Sequence, residues 1–163
     1  MTCKQSGLTA FELTVTLAII AIVAALTMPP YLKWLRSSRL QSAATNLTAD
    51  LELAKVLAIR ESTLVVVDFE ASRYTIFVDN GEGGGTPADW NCNGSESIAQ
   101  IRHLPAGVQI DTDSLSFPTV ADKTRFNSRG LPEDIVLPKS ISVGTATGSR
   151  LITLNRLGKI SVQ

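Results

Sequence analysis

The stretch Gly7–Tyr31, G-L-T-A-F-E-L-T-V-T-L-A-I-I-A-I-V-A-A-L-T-M-P-P-Y, decides how the rest of the chain is read. One acid, Glu12, stands at the front of an apolar run that closes at Pro29-Pro30. Leu8 to Met28 spans about 21 residues, and a helix of that length covers roughly 31 Å, close to a bilayer hydrocarbon core of about 30 Å. A carboxylate inside such a run costs about 2.5–3.5 kcal/mol on insertion scales. It is therefore a functional-site expectation and calls for a cationic partner. The nearest source is a new α-amino group, which would appear if the chain were cut after Gly7 and left Glu12 as the fifth residue.

A short polar leader, M-T-C-K-Q-S, precedes the run. Leader, acid offset, apolar length and terminal proline together resemble the class III signal of type IV pilins and type II secretion pseudopilins. The usual aromatic at the first mature position is Leu8 here. The resemblance implies cleavage between Gly7 and Leu8 by a prepilin peptidase, followed by N-methylation of Leu8. It also implies an assembly ion pair between Glu12 and the Leu8 amine of a neighbouring subunit. The expected partners are other pilins or pseudopilins in a helical filament, an inner-membrane assembly platform and the lipid bilayer. A secretory signal peptide fits worse, because the run is too long for an h-region and no A-x-A site follows it.

The chain has 163 residues, 44% of them hydrophobic, and equal numbers of acidic and basic side chains, 15 each. Beyond the membrane run about 130 residues remain, enough for one domain with a proper core. Zero net charge gives no general attraction to nucleic acid. Cys3 falls in the leader, so processing leaves Cys92 alone and excludes an internal disulfide in the mature chain. Cys92 reads as a loop thiol. Lys33, Arg36 and Arg39 follow the run, whereas only Lys4 and the initial amine precede it. Charge bias alone would put the C-terminal side in the cytoplasm. The signal motif implies the opposite, a single-pass inner-membrane protein with a periplasmic C-terminal domain, and we follow the motif.

Pro29-Pro30 removes two amide donors, so a kink or a short unwound stretch is expected there. Leu40, Ala44, Leu47, Leu51, Ala54 and Ala58 then recur at spacings of four and three, an apolar stripe on a resumed helix. Asp50 counts among the polar residues mostly off that stripe. One long helix is expected from Thr9 to Glu61. Thr63–Phe69 and Tyr74–Asp79 read as a β-hairpin, and residues 80–97 as a long Gly/Asn-rich surface loop. Further strands are expected at 97–103, 108–110, 115–117, 125–127, 141–143, 150–155 and 159–162, the last three forming a terminal meander around turns at 144–149 and 156–158. The sum is an α+β, pilin-like chain whose long N-terminal helix packs on an antiparallel β-sheet domain. The expected bounds are leader 1–7, transmembrane half-helix 8–28, amphipathic half-helix 29–62 and β-rich periplasmic domain 63–163.

Two later stretches narrow the resemblance. L-E-L-A-K-V-L-A-I at the helix end, with Ala54, Ala58 and Ile59, and Phe126…Gly130-Leu131-Pro132 within the domain, resemble the GspH/FimT branch. Lys55 stands where that branch has Arg. The function implied is a structural subunit, a minor pilin or pseudopilin of a type II secretion pseudopilus or a type IV pilus.

Other chemistry is thinner. Asp89, Asn91 and Asn93 match the first half of an EF-hand ligand series, but the twelfth position is Gln100 rather than Glu. Some pseudopilins bind calcium, so Ca²⁺ stands as a secondary expectation beside a plain Asx-rich turn region. A FimT-like DNA-binding minor pilin is the alternative function. Its basic motif would fall at Gly158-Lys159-Ile160-Ser161, where Ser161 loses one charge, with Arg150 and Arg156 near in sequence. Non-specific DNA binding needs several phosphates neutralised, and a neutral chain sets DNA second. An unrelated membrane-anchored periplasmic protein is the remote reading. No enzyme is expected, since the single histidine, His103, has no nucleophile or metal-ligand partners at a recognisable spacing.

Overall fold

The computed structural model describes residues 9–93, 95–112, 115, 122–133 and 139–163. Of the expected strand at 115–117 only Leu115 is described, buried in the core and outside any strand, and the cleavage positions Gly7 and Leu8 lie outside the described residues. The chain divides into two compact units, Met1–Arg36 and Ser37–Gln163. Helix α1 runs Ala10–Glu61. It starts where Thr9 can cap it, the Thr9 hydroxyl accepting the Glu12 amide at 3.2 Å. Helical assignment is unbroken across Pro29 and Pro30. In the first unit the helix is exposed on every side, and it carries an 18-residue window of mean hydropathy 2.2 with no residue buried in the chain. By length and composition that segment can cross a membrane.

In the second unit the helix turns Leu40, Ala43, Ala44, Leu47, Leu51, Ala54, Leu57 and Ala58 into the core. All six residues of the expected stripe are among them. Asp50 is buried on the same face, which corrects its placement among the solvated residues. Positions 43, 47, 50 and 54 share one side of a 3.6-residue helix, so the backbone leaves Asp50 no other direction.

Two four-stranded antiparallel sheets receive that face. The first has β1 (Leu64–Phe69), β2 (Arg73–Asp79), β3 (Ile98–His103) and β5 (Lys123–Phe126) in the order β3-β2-β1-β5. The second has β4 (Gln109–Ile110), β6 (Lys139–Thr145), β7 (Gly148–Leu154) and β8 (Ile160–Val162) in the order β4-β6-β7-β8. The hairpin and the terminal meander are as the sequence indicates. The turn between β6 and β7 is tighter than expected, because pairing extends to Thr145↔Gly148 and the Thr145 hydroxyl donates to the Gly148 carbonyl at 3.1 Å.

Strand parity sorts the first sheet. Val65, Val67, Phe69, Tyr74, Ile76, Val78 and Phe126 join the helix in the core. Val66, Phe77 and Arg125 are cross-strand neighbours on the opposite face and are buried too. Over Arg125 lies Trp90, from the segment between Asn80 and Ser97, its ring centroid 4.0 Å from the guanidinium carbon. The segment is the surface loop expected, and its Ala88–Trp90 part forms a lid over Arg125 on the outer sheet face.

Candidate functional site

At the front of α1 the Glu12 amide is held by Thr9, but no ion pair or hydrogen bond to the Glu12 carboxylate occurs among the described residues. The flanking apolar side chains are open, with Phe11 79% and Leu13 54% exposed. Past Pro29-Pro30, Tyr31 and Trp34 pair with ring centroids 6.1 Å apart, both largely exposed. Amphipathic aromatics at the end of an apolar helix suit a membrane–water boundary.

The second helix half is fastened to the first sheet by a polar cluster the sequence did not reveal. Asp50 accepts the Tyr74 hydroxyl at 2.7 Å and both the Nε and an Nη of Arg102. Tyr74 comes from β2 and Arg102 from the neighbouring position on β3, so one carboxylate clamps two strands with the strong fork geometry of a bidentate pair. Burial, reinforced by the bond to Asp50, pushes the Tyr74 phenol far above its ordinary value, and the Asp50 bond likewise raises Arg102. A raised phenol pKa means that folding favours the protonated form. Its contribution is complete below the unfolded value of about 10 and is lost as pH climbs from there towards the folded value. Denaturant midpoints should therefore fall as pH rises above about 10. Tyr74→Phe should flatten that alkaline limb while costing about 1 kcal/mol at neutral pH for the lost bond.

The GspH/FimT-like positions converge on the last turns of α1. Asn127-Ser128-Arg129-Gly130-Leu131, after β5, and Asn155-Arg156-Leu157-Gly158-Lys159, after β7, fold as the same turn. In each, the asparagine Oδ1 accepts the amides two and four residues on. In each, the asparagine amide donates to the carbonyl four residues on, at 2.9 and 3.1 Å, and the glycine sits at φ 72°. The Lys55 side chain runs between the two turns and donates to the Gly158 carbonyl at 3.0 Å. A Cβ on Gly130 would lie 2.7 Å from Ile59 Cδ1 and 3.1 Å from Lys55 Cγ, and one on Gly158 would lie 3.0 Å from the Gly130 carbonyl. Only glycine combines that backbone with that approach. Lys55, Ile59, Gly130 and Gly158 are thus one assembly, and Pro132 closes it through a bridge to Phe126.

Of the three basic residues considered for DNA, Arg156 and Lys159 share the second turn, whereas Arg150 lies near the other end of β7. Four strand steps carry the chain from Arg150 to Leu154, about 13 Å, before the turn that holds Arg156. All three are exposed.

The lid segment is organised by two buried carboxylates. Asp79 accepts the amides of Ala88 at 2.7 Å and Trp90 at 3.1 Å, which sustains left-handed φ values of 65° and 69° at those residues. Glu96 accepts the amides of Gly81 at 2.8 Å and Asn93 at 3.0 Å. Arg125 donates to the Ala88 carbonyl at 3.1 Å and to Glu133 at 2.9 Å. Asp89 Oδ1 accepts the Asn91 amide at 2.8 Å, and its Oδ2 accepts the Asn93 side-chain amide at 2.6 Å. Cys92 is exposed, and partial burial near Glu96 pushes its thiol up.

The sequence profile of the family described as Type II transport protein GspH matches residues 43–158, the span that holds the helix stripe from Ala43 on, strands β1 to β7 and the glycines of both turns. The chain belongs to the GspH family. Three solved structures share the fold. The type IV minor pilin FimU of Pseudomonas aeruginosa is 17% identical, with a TM-score of 0.57 over 78% of this chain and 90% of that one. The minor pseudopilin EpsH of the Vibrio cholerae type 2 secretion system is 16% identical, with a TM-score of 0.55 over 77% and 96%. GspH of E. coli is 18% identical, with a TM-score of 0.54 over 77% and 88%. No curated protein matches the chain. This GspH-family chain is a minor pseudopilin or minor pilin, a structural subunit that associates with other pilins.

Proposed function

We propose that the chain is the precursor of a filament subunit, held in the inner membrane by the apolar half of α1 with the residues from about Ser37 in the periplasm. A prepilin peptidase removes residues 1–7 and methylates the new Leu8 amine. Together with an inner-membrane platform, neighbouring subunits then draw the helix into a short pseudopilus or pilus. The observation that carries this reading is Glu12. It is a carboxylate at the front of an exposed apolar helix, with no partner among the described residues, at the offset that would bring it to the Leu8 amine of another copy or another pilin. Unpaired charge in hydrocarbon disfavours the lone subunit, and pairing favours the stack in one axial register. The subunit's role is assembly, with no catalytic step of its own.

Mass spectrometry of the protein isolated from membranes tests the reading. The expected N-terminal peptide begins at N-methylated Leu8, and a strain without the peptidase accumulates the form beginning upstream of Gly7. A chain that keeps its leader in the presence of the peptidase would sink the proposal.

A further inference from the structure

The EF-hand-like spacing at Asp89, Asn91 and Asn93 marks a place where the fold gathers oxygen atoms around positive charge. The positive charge it gathers them around is a lysine. Lys123 comes from β5, on the outer face of the first sheet, where it pairs across to Asp68 of β1 with Nζ–Oδ2 3.1 Å. Its ammonium also donates to the Trp90 carbonyl at 2.9 Å and reaches Asn91 Oδ1 at 3.4 Å. The side chain is only 17% exposed. Three oxygens, from the sheet, the lid main chain and a lid side chain, therefore surround one tetrahedral donor with three N–H bonds to give.

The Asp79, Asp89 and Glu96 carboxylates around the lid are already engaged. Both Asp89 oxygens accept N–H groups, Asp79 serves two amides beside Arg125, and Glu96 serves two more. Asn93 Oδ1 is the lid oxygen that is buried without a partner among the described residues. Calcium requires about six to eight oxygens at roughly 2.3–2.6 Å. One unclaimed amide oxygen falls far short. A dication in the same cluster would also face the Lys123 ammonium and the Arg125 guanidinium, at the short range where like charges repel strongly. The donor set does not fit calcium.

We infer that Lys123 is the built-in cation of the 80–97 lid, doing by covalent attachment to β5 what a bound metal ion would do for such a loop. An ammonium in place of an exchangeable ion makes lid closure independent of divalent cations and ties it to the pairing of β5 with β1. This holds however the subunit is processed or assembled.

The test uses the full chain in detergent micelles. Wild-type thermal midpoints are compared in EDTA and in about 5 mM CaCl₂, above the roughly 10⁻⁴–10⁻³ M range of weak extracellular sites. Lid opening is followed by chymotryptic cleavage after Trp90, the residue whose carbonyl Lys123 holds. The midpoint is expected to be the same in both solutions. Lys123→Met should speed the Trp90 cut by about tenfold, because cleavage tracks the open population. Asp68→Asn, a milder change that keeps the ammonium, should speed it by a smaller factor of about threefold. A calcium-dependent rise in the wild-type midpoint, reversed by EDTA, would overturn the inference. So would cleavage rates in both variants equal to wild type.

Discussion

Glu12→Val is expected to leave the protein abundant in the membrane and absent from the assembled filament. The substitution removes an acid that costs about 2.5–3.5 kcal/mol on insertion scales, so anchoring improves if it changes at all. The helix start is also preserved, since Thr9 caps the Glu12 position through its main-chain amide and Val has one. What disappears is the only ionised group of the apolar run, and with it the proposed partner for a neighbouring N-terminal amine. A loss of even about 1.4 kcal/mol per contact lowers incorporation about tenfold, and the desolvated pair is worth more than that once its alternative is an unpaired amine in hydrocarbon. Membrane abundance by immunoblot and co-purification with sheared filaments provide the two readouts. A defect in folding would lower both. Wild-type co-assembly of Glu12→Val would show that Glu12 has no pairing role in this subunit.

The largest expected loss of stability follows Asp50→Ala. The change removes the acceptor of three N–H and O–H groups at once, leaving Tyr74 Oη buried and Arg102 with a charge at the helix–sheet junction. Breaking one side of a buried pair costs about 3–5 kcal/mol. The Arg102 side chain is 36% exposed and can turn towards water, so the lower part of that range, about 3 kcal/mol, is expected. Denaturant unfolding of the full chain in detergent, followed by far-UV circular dichroism, measures it. The triple variant Asp50→Leu, Tyr74→Phe, Arg102→Met should recover most of the loss, because apolar groups of similar volume satisfy the same space without desolvated charge. A fall of under about 1 kcal/mol in Asp50→Ala would mean that water already solvates the cluster.

What was legible in the sequence followed local periodicity. The apolar run, the stripe from Leu40 to Ala58, the β1–β2 hairpin and the β6–β8 meander are each encoded within a few residues of themselves. Asp50 was within reach, since its position falls between Leu47 and Ala54 on the buried face, but an acid at such a place reads as solvated until its partners on β2 and β3 are known. The split into two sheets was out of reach. It depends on β4 leaving to pair with β6 while β5 returns to pair with β1, Val65 facing Phe126, and neither choice leaves a mark on the strands' own pattern. The Asn-x-x-Gly spacing occurs four times in the sequence, and only the fold singles out the copies at Asn127 and Asn155 by bringing them to Lys55. At the lid, residue spacing names the oxygens but not the N–H groups that reach them, so Lys123 could not be anticipated.

The fastening of α1 has a mechanical consequence. Asp50 and Lys55 lie five residues apart, about 7.5 Å along the helix axis. One grips β2 and β3, the other the turn after β7. A pull along the axis therefore reaches both sheets through ties that sit less than two helical turns apart. A subunit drawn lengthwise by its helix would hand the load to both sheets at once.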